Sequence, residues 1–203
     1  MEAGNSVADV LFGTVNPGGK LPVTMPKSLE DTPCYGNFPG DLQKLEVRYD
    51  ENLDIGYRFY DKEPNKALFP FGFGLSYTSF DVALIDAEPI VFQQEKDIRV
   101  RVKIRNTGRR VGSEVLQAYF SPPQGSVDRP LRTLGGFAKV TLDPGEEQVS
   151  EVKLDSEAAA FWDEDASLWR IVKGTYGILV GNSSSTIFGQ QSLEVAEGIT
   201  YNA

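Results

Sequence analysis

Carboxylates are the residues whose number and clustering first suggest chemistry, with Asp163-Glu164-Asp165 the densest run and Asp50-Glu51 with Asp54 the next. General acid and base work needs two carboxyl groups converging on one bond. Neighbouring residues in a strand point to opposite faces, and in a turn they are solvated, so neither run converges by itself. Both read as solvated acidic loops, and neither has the D-x-D-x-D-G spacing of a looped calcium site. No metal ligand set is expected. The chain contains no histidine, which removes Ser-His-Asp chemistry and histidine-based zinc sites. Its single cysteine, Cys34, cannot form an internal disulfide and is read as a buried or turn-adjacent thiol. Gly72, Gly74 and Gly18-Gly19 lack the spacing of a phosphate-cradling loop, so they are expected to serve backbone bending. Trp162 and Trp169, with Tyr119 and Tyr176, could stack on sugar faces, because flat apolar rings suit pyranoses. Packing in a core is the competing reading and is preferred for Trp169; Trp162 is the candidate for glycan stacking. Arg58 and Arg129 are expected to pair with carboxylates or carbonyls at domain boundaries. Asn182-Ser183-Ser184 fits an N-glycosylation acceptor at a turn.

Positioning any of these groups requires a folded frame, and the composition permits one. The chain has 203 residues, 40% hydrophobic and 24% charged, which suits one well-cored domain with an appendage, or two small domains. A net charge of -9 without a basic cluster argues against nucleic acid and anionic membranes as partners. Neutral substrates stay open. No signal peptide or apolar span is visible, and the compartment stays unknown.

Residues 1–12 carry Val7, Val10 and Leu11 at the spacing of one helical face, with Gly13 as the stop. Asn16-Pro17-Gly18-Gly19 is a turn, and the alternation over residues 20–25 predicts an extended edge segment. Residues 27–65 are rich in Pro, Gly, Asp and Glu, with Tyr35, Phe38, Tyr49, Tyr57, Phe59 and Tyr60 among them; they read as a linker held to a surface by its rings. Leu68-Phe69-Pro70-Phe71-Gly72-Phe73-Gly74-Leu75-Ser76-Tyr77-Thr78-Ser79-Phe80 packs five aromatic rings between glycines and a proline. An aromatic plug pinning the linker against a domain is expected there, followed by a strand from Thr78. Further strands are predicted over residues 80–85, 98–104, 114–120, 134–142, 148–154, 169–172, 176–180 and 187–195. Period-two alternation is clearest in Ile98-Arg99-Val100-Arg101-Val102-Lys103-Ile104. Seven or eight short strands in this span have the rhythm of an immunoglobulin-like sandwich. Residues 156–161 are expected to form one helical turn capped by Ser156.

Ile55-Gly56-Tyr57-Arg58-Phe59-Tyr60-Asp61 followed by the aromatic stretch resembles the junction before the C-terminal fibronectin type III-like domain of family-3 glycoside hydrolases, the β-glucosidase family. Asn5 to Gly13 and Asn16-Pro17-Gly18-Gly19-Lys20-Leu21-Pro22-Val23-Thr24 resemble the last helix and strand of that family's α/β sandwich domain. The resemblance continues through Gly112-Ser113-Glu114-Val115-Leu116-Gln117-Ala118-Tyr119-Phe120, Arg129-Pro130, Leu142-Asp143-Pro144-Gly145 and Gly174-Thr175-Tyr176-Gly177. It implies a mainly β fold: a remnant of the α/β domain at 1–26, a linker with the plug at 27–77, an immunoglobulin or fibronectin type III-like β-sandwich at 78–196, and a tail at 197–203. It also implies release of terminal β-linked glucose by the parent enzyme, without a cofactor. The family's nucleophile and acid/base lie upstream of anything matching Met1, so no catalytic residue is expected here. The partners expected are N-terminal catalytic domains of the same enzyme, which the sandwich would brace, and an oligo- or polysaccharide. Alternatives are a stand-alone carbohydrate- or protein-binding module and a subunit complementing a separate catalytic chain.

Overall fold

The computed structural model describes residues 2–93, 96–125 and 127–202. Helix α1 (Ala3–Leu11) comes first and ends before Gly13, whose φ of 74° suits a residue without a side chain. Met1, at the expected start of this helix, lies outside the described residues. A two-residue strand β1 (Met25–Pro26) pairs with β2 (Ala67–Phe69), and helix α2 (Tyr57–Lys62) lies between them in sequence. Residues 20–24 do not join a strand ladder as predicted. Two backbone bonds serve instead: the Leu21 amide donates to the Phe73 carbonyl and the Gly72 amide to the Leu21 carbonyl, each at 2.8 Å.

The sandwich then follows with strands β3 (Phe80–Glu88), β4 (Ile98–Asn106), β5 (Gly112–Ser121), β6 (Thr133–Leu142), β7 (Glu147–Leu154), β10 (Gly174–Gly181) and β11 (Ile187–Val195). One sheet runs β3-β4-β7 and the other β11-β10-β5-β6, all pairs antiparallel. Between β7 and β10 the chain forms β8 (Phe161–Asp163) and β9 (Leu168–Ile171), joined at β9 by β12 (Ile199–Tyr201) into a third small sheet. Neither β8 nor β12 is foreseen by the sequence pattern: each is three residues long, and residues 199–201 fall in the expected tail.

The alternation on β4 is obeyed throughout, with Ile98, Val100, Val102 and Ile104 fully buried and the basic residues between them exposed. Leu116, Ala118 and Phe120 from β5, Val152 and Leu154 from β7, and Ile178 and Val180 from β10 meet them in the core. Each of these Val, Leu, Ile and Phe side chains stabilises by about 1.5–3 kcal/mol on burial. Strand β5 departs from alternation, because Gln117 and Tyr119 on its outer face are buried too. The linker covers that face.

The short 3-10 turn over Ser156–Ala159 is capped one residue earlier than expected: the Asp155 carboxylate accepts the Glu157 amide at 2.9 Å.

Candidate functional site

The densest convergence of polar side chains lies where the linker meets the sandwich. Tyr57, on the first turn of α2, sets its ring 5.1 Å from Phe71 and 6.1 Å from Tyr119, and its hydroxyl accepts the Leu134 amide at 2.9 Å. Four residues on, one helical turn, Asp61 reaches Arg132 Nε at 2.8 Å with only 4% of its side chain exposed. Burial raises the Asp61 pKa to about 6 against the opposing pull of Arg132. Beneath this, the Tyr119 hydroxyl donates to Gln117 Oε1, and burial pushes the Tyr119 pKa upward. Gln117 Nε2 in turn donates to the Asn182 carbonyl at 3.0 Å.

The network continues to the open end of the sandwich. Asn182 Nδ2 donates to Glu114 Oε2 at 3.1 Å, and Lys20 Nζ lies 2.5 Å from Glu114 Oε1, both charged side chains largely buried. A cavity of about 320 Å³ opens there between Lys20, Ser76, Thr78, Glu114, Asn182 and Phe188. Asn16 closes the same end: it donates to the Val111 carbonyl at 2.8 Å and accepts from the Tyr77 amide at 2.8 Å and the Ser76 hydroxyl at 3.1 Å. Nearby, Asn106 is fully buried, donating to the Arg110 and Leu142 carbonyls and accepting from Thr78 and Gly108. The two buried carboxylates of this network, Asp61 and Glu114, are each paired with a cation, so the arrangement can fix one segment on another.

The residues singled out from the sequence are dispersed. Asp163 pairs with Arg170 at 3.0 Å and accepts the Ala166 amide, while Glu51 accepts from Asn37 and Asp54 pairs with Lys62 at 2.8 Å. These carboxylates tie loops together. Tyr119 and Tyr176 belong to the buried interior and cannot join a stacking platform. Trp169, expected in the core, is 36% exposed and packs edge-on against Trp162, 41% exposed, at 5.7 Å and 71°. Both rings belong to the unforeseen small sheet, and neither is part of the buried core. Cys34 is exposed, in a turn. Arg129 meets the expectation of a carbonyl partner: it donates to the Ala159 carbonyl at 2.7 Å, between the Phe161 and Tyr176 rings. Asn182 lies at a turn as predicted, but its amide nitrogen is engaged by Glu114 and its neighbours Ser183 and Ser184 are buried. The aromatic stretch is only half a plug. Phe71 and Phe73 are partly buried, whereas Phe69 and Tyr77 remain exposed, because the segment rests on β5 with one side only. Gly72 and Gly74 do serve close approach: a Cβ would overlap the Gln117 amide at the first and the Gly19 carbonyl at the second.

Comparison with known proteins accounts for this division into a clamp and a sandwich. Residues 1–77 match the glycosyl hydrolase family 3 C-terminal domain, and residues 114–184 match a fibronectin type III-like domain. The probable β-glucosidase H of Aspergillus flavus is 42% identical over 195 residues, which are 96% of this chain and 23% of that protein. A β-glucosidase from Kluyveromyces marxianus, solved in complex with glucose, superposes with a TM-score of 0.89 at 38% identity, covering 98% of this chain and 23% of its own. For β-glucosidase 3B from Thermotoga neapolitana, also solved with glucose, the TM-score is 0.88 and the identity 35%, covering 100% of this chain and 28% of its own. The chain thus spans 23% to 28% of the length of these relatives. It belongs to family 3 of the glycoside hydrolases and corresponds to the C-terminal portion of its β-glucosidases.

Proposed function

We propose that this chain braces the catalytic domains of a β-glucosidase-like enzyme that hydrolyses terminal β-D-glucosyl residues, and that it contributes no catalytic group itself. The division of labour keeps most of the boundaries expected from sequence: residues 1–26 complete the edge of an α/β domain, 27–77 form the strap and 78–196 form the brace, to which residues 199–201 of the expected tail add β12. One observation carries the reading. Helix α1 has no buried residue, and Leu11, Phe12, Phe38 and Leu45 are 73%, 87%, 77% and 86% exposed. Large apolar side chains left this exposed on an unburied helix and on the strap mark surfaces of association, and the occupant that fits is the remainder of the same enzyme. Hydrolysis with retention would need two carboxyl groups about 5–5.5 Å apart, supplied by that remainder, and such chemistry uses neither a metal nor an organic cofactor.

The test is reconstitution. A homologous β-glucosidase lacking the region that aligns with this chain is co-expressed with the 203-residue polypeptide, and p-nitrophenyl β-D-glucoside turnover is measured. The two parts should co-purify and turn over substrate, and the 203-residue polypeptide alone should release no glucose from cellobiose. Enzyme-like release by the isolated chain, or failure of the parts to associate, refutes the proposal. Leu11→Asp with Phe12→Asp should abolish association while leaving the sandwich folded.

A further inference from the structure

The small sheet β8-β9-β12 is left unused by the bracing role, yet it organises aromatic rings. Trp162 lies opposite Trp169 across β8 and β9, and Trp169 lies opposite Tyr201 across β9 and β12. Residues directly opposite in an antiparallel pair share a face, so the three rings form one row. Tyr201 is partly buried against the core at one end, and the two exposed tryptophans meet edge to face, at 71°, in a corner at the other. On the alternate positions Asp163 and Arg170 form an ion pair, and Asp163 also holds the tight turn through the Ala166 amide. The corner is therefore held in place before any ligand arrives.

We propose that the Trp162–Trp169 corner binds a neutral β-linked glucan chain, one pyranose stacking on an indole face while its edge abuts the second ring. Size and charge select this occupant. The apolar row is bordered at the β8-β9 turn by Glu164 and Asp165, which are exposed polar residues. A stable protein interface needs about 1,000 Å², far more than this row offers. The net charge of -9 and the surrounding carboxylates oppose nucleic acid and anionic membranes. Those same carboxylates are acceptors for sugar hydroxyls. Asp155 and Glu157 lie close enough to Tyr201 to assist burial in raising its phenol pKa, and Glu164 occupies the turn beside Trp162. A flat apolar face rimmed with acceptors matches a pyranose, whose faces are CH-lined and whose periphery carries hydroxyls. The choice of β-linked glucose over other neutral sugars rests on the activity proposed above; the existence of the corner does not.

The experiment titrates the 203-residue chain with cellohexaose and with mannohexaose by tryptophan fluorescence and calorimetry. Cellohexaose should bind saturably, Trp162→Ala should weaken it at least about tenfold, equivalent to about 1.4 kcal/mol, and Trp162→Phe should retain most affinity because a flat ring remains. Phe137→Ala, which removes another exposed ring, should leave binding unchanged, with far-UV dichroism confirming that every variant is folded. No saturable response, equal affinity in Trp162→Ala, or equal loss in Phe137→Ala overturns the site. Binding of mannohexaose in preference to cellohexaose overturns the glucan assignment. Bracing is read separately by co-purification, so either proposal can fail without the other.

Discussion

Replacing Asp61 by asparagine should remove a pH dependence from the stability of the clamp. Asp61 stands in the last turn of α2 with its side chain 96% buried beside Arg132, at the end of a helix where negative charge is disfavoured. Burial raises its pKa from 3.8 to about 6, a rise of about two units. Each unit corresponds to about 1.36 kcal/mol, so the linked stability is at most about 3 kcal/mol, and solvent screening through the partly exposed Arg132 reduces it. The sign follows from proton binding. The folded chain holds the Asp61 proton more tightly than the unfolded chain, so this contribution grows as pH falls from about 6 toward about 4 and is lost as pH rises through 6. Asp61→Asn cannot titrate, and its stability should be flat over that window once other carboxylates are subtracted. Urea unfolding of both proteins at half-unit steps from pH 4.5 to 7.5 measures the difference, and a carboxyl carbon NMR titration locates the midpoint directly. Identical pH profiles for the two proteins, or an Asp61 midpoint below 4, would refute the reasoning.

Two further substitutions address the same junction. Gly72 has a φ of 80° and its position is closed by the Gln117 amide. Gly72→Ala combines left-handed strain of about 1–2 kcal/mol with displacement of Gln117 from Tyr119 and Asn182, so a loss of about 2–4 kcal/mol is expected in urea unfolding; a change under about 0.5 kcal/mol would mean that the strap is not seated on β5. Asn106→Ala strands four partners at once, the Leu142 carbonyl fully buried and the others partly so, and should cost about 3 kcal/mol. Asn106→Asp keeps the acceptor for Thr78 and Gly108 but cannot donate to Arg110 and Leu142, so it should also destabilise, and equal stability to wild type by thermal unfolding would count against the network.

The sandwich was legible because its strands obey a local rule. In β4 a period-two pattern of Ile and Val against Arg and Lys names both faces at once, and Asp143-Pro144-Gly145 marks where β6 must turn into β7. The third sheet was not legible. Strands of three residues carry too few alternations to register, and Trp169, two residues from the buried Ile171, imitates a core strand although it is 36% exposed. The clamp was legible in kind but not in detail: a run of five rings and two glycines announces packing, yet nothing local tells that Gln117 and Tyr119, more than forty residues later, provide the surface. Glu114 shows the same limit. It occupies a core-facing register where a charge looks like an error, and only the arrival of Lys20 from ninety-four positions upstream makes it tolerable.

The anchoring of Asn16 bears on how the molecule assembles. Its carbonyl partner at Val111 lies 95 positions later in the chain, so this anchor can form only after the Val111 segment has been made. Loop closure over that distance must await the sandwich. The turn at Asn16 is therefore seated only once β4 and β5 are in place on either side of Val111, while Leu11 and Phe12 before it stay exposed even then.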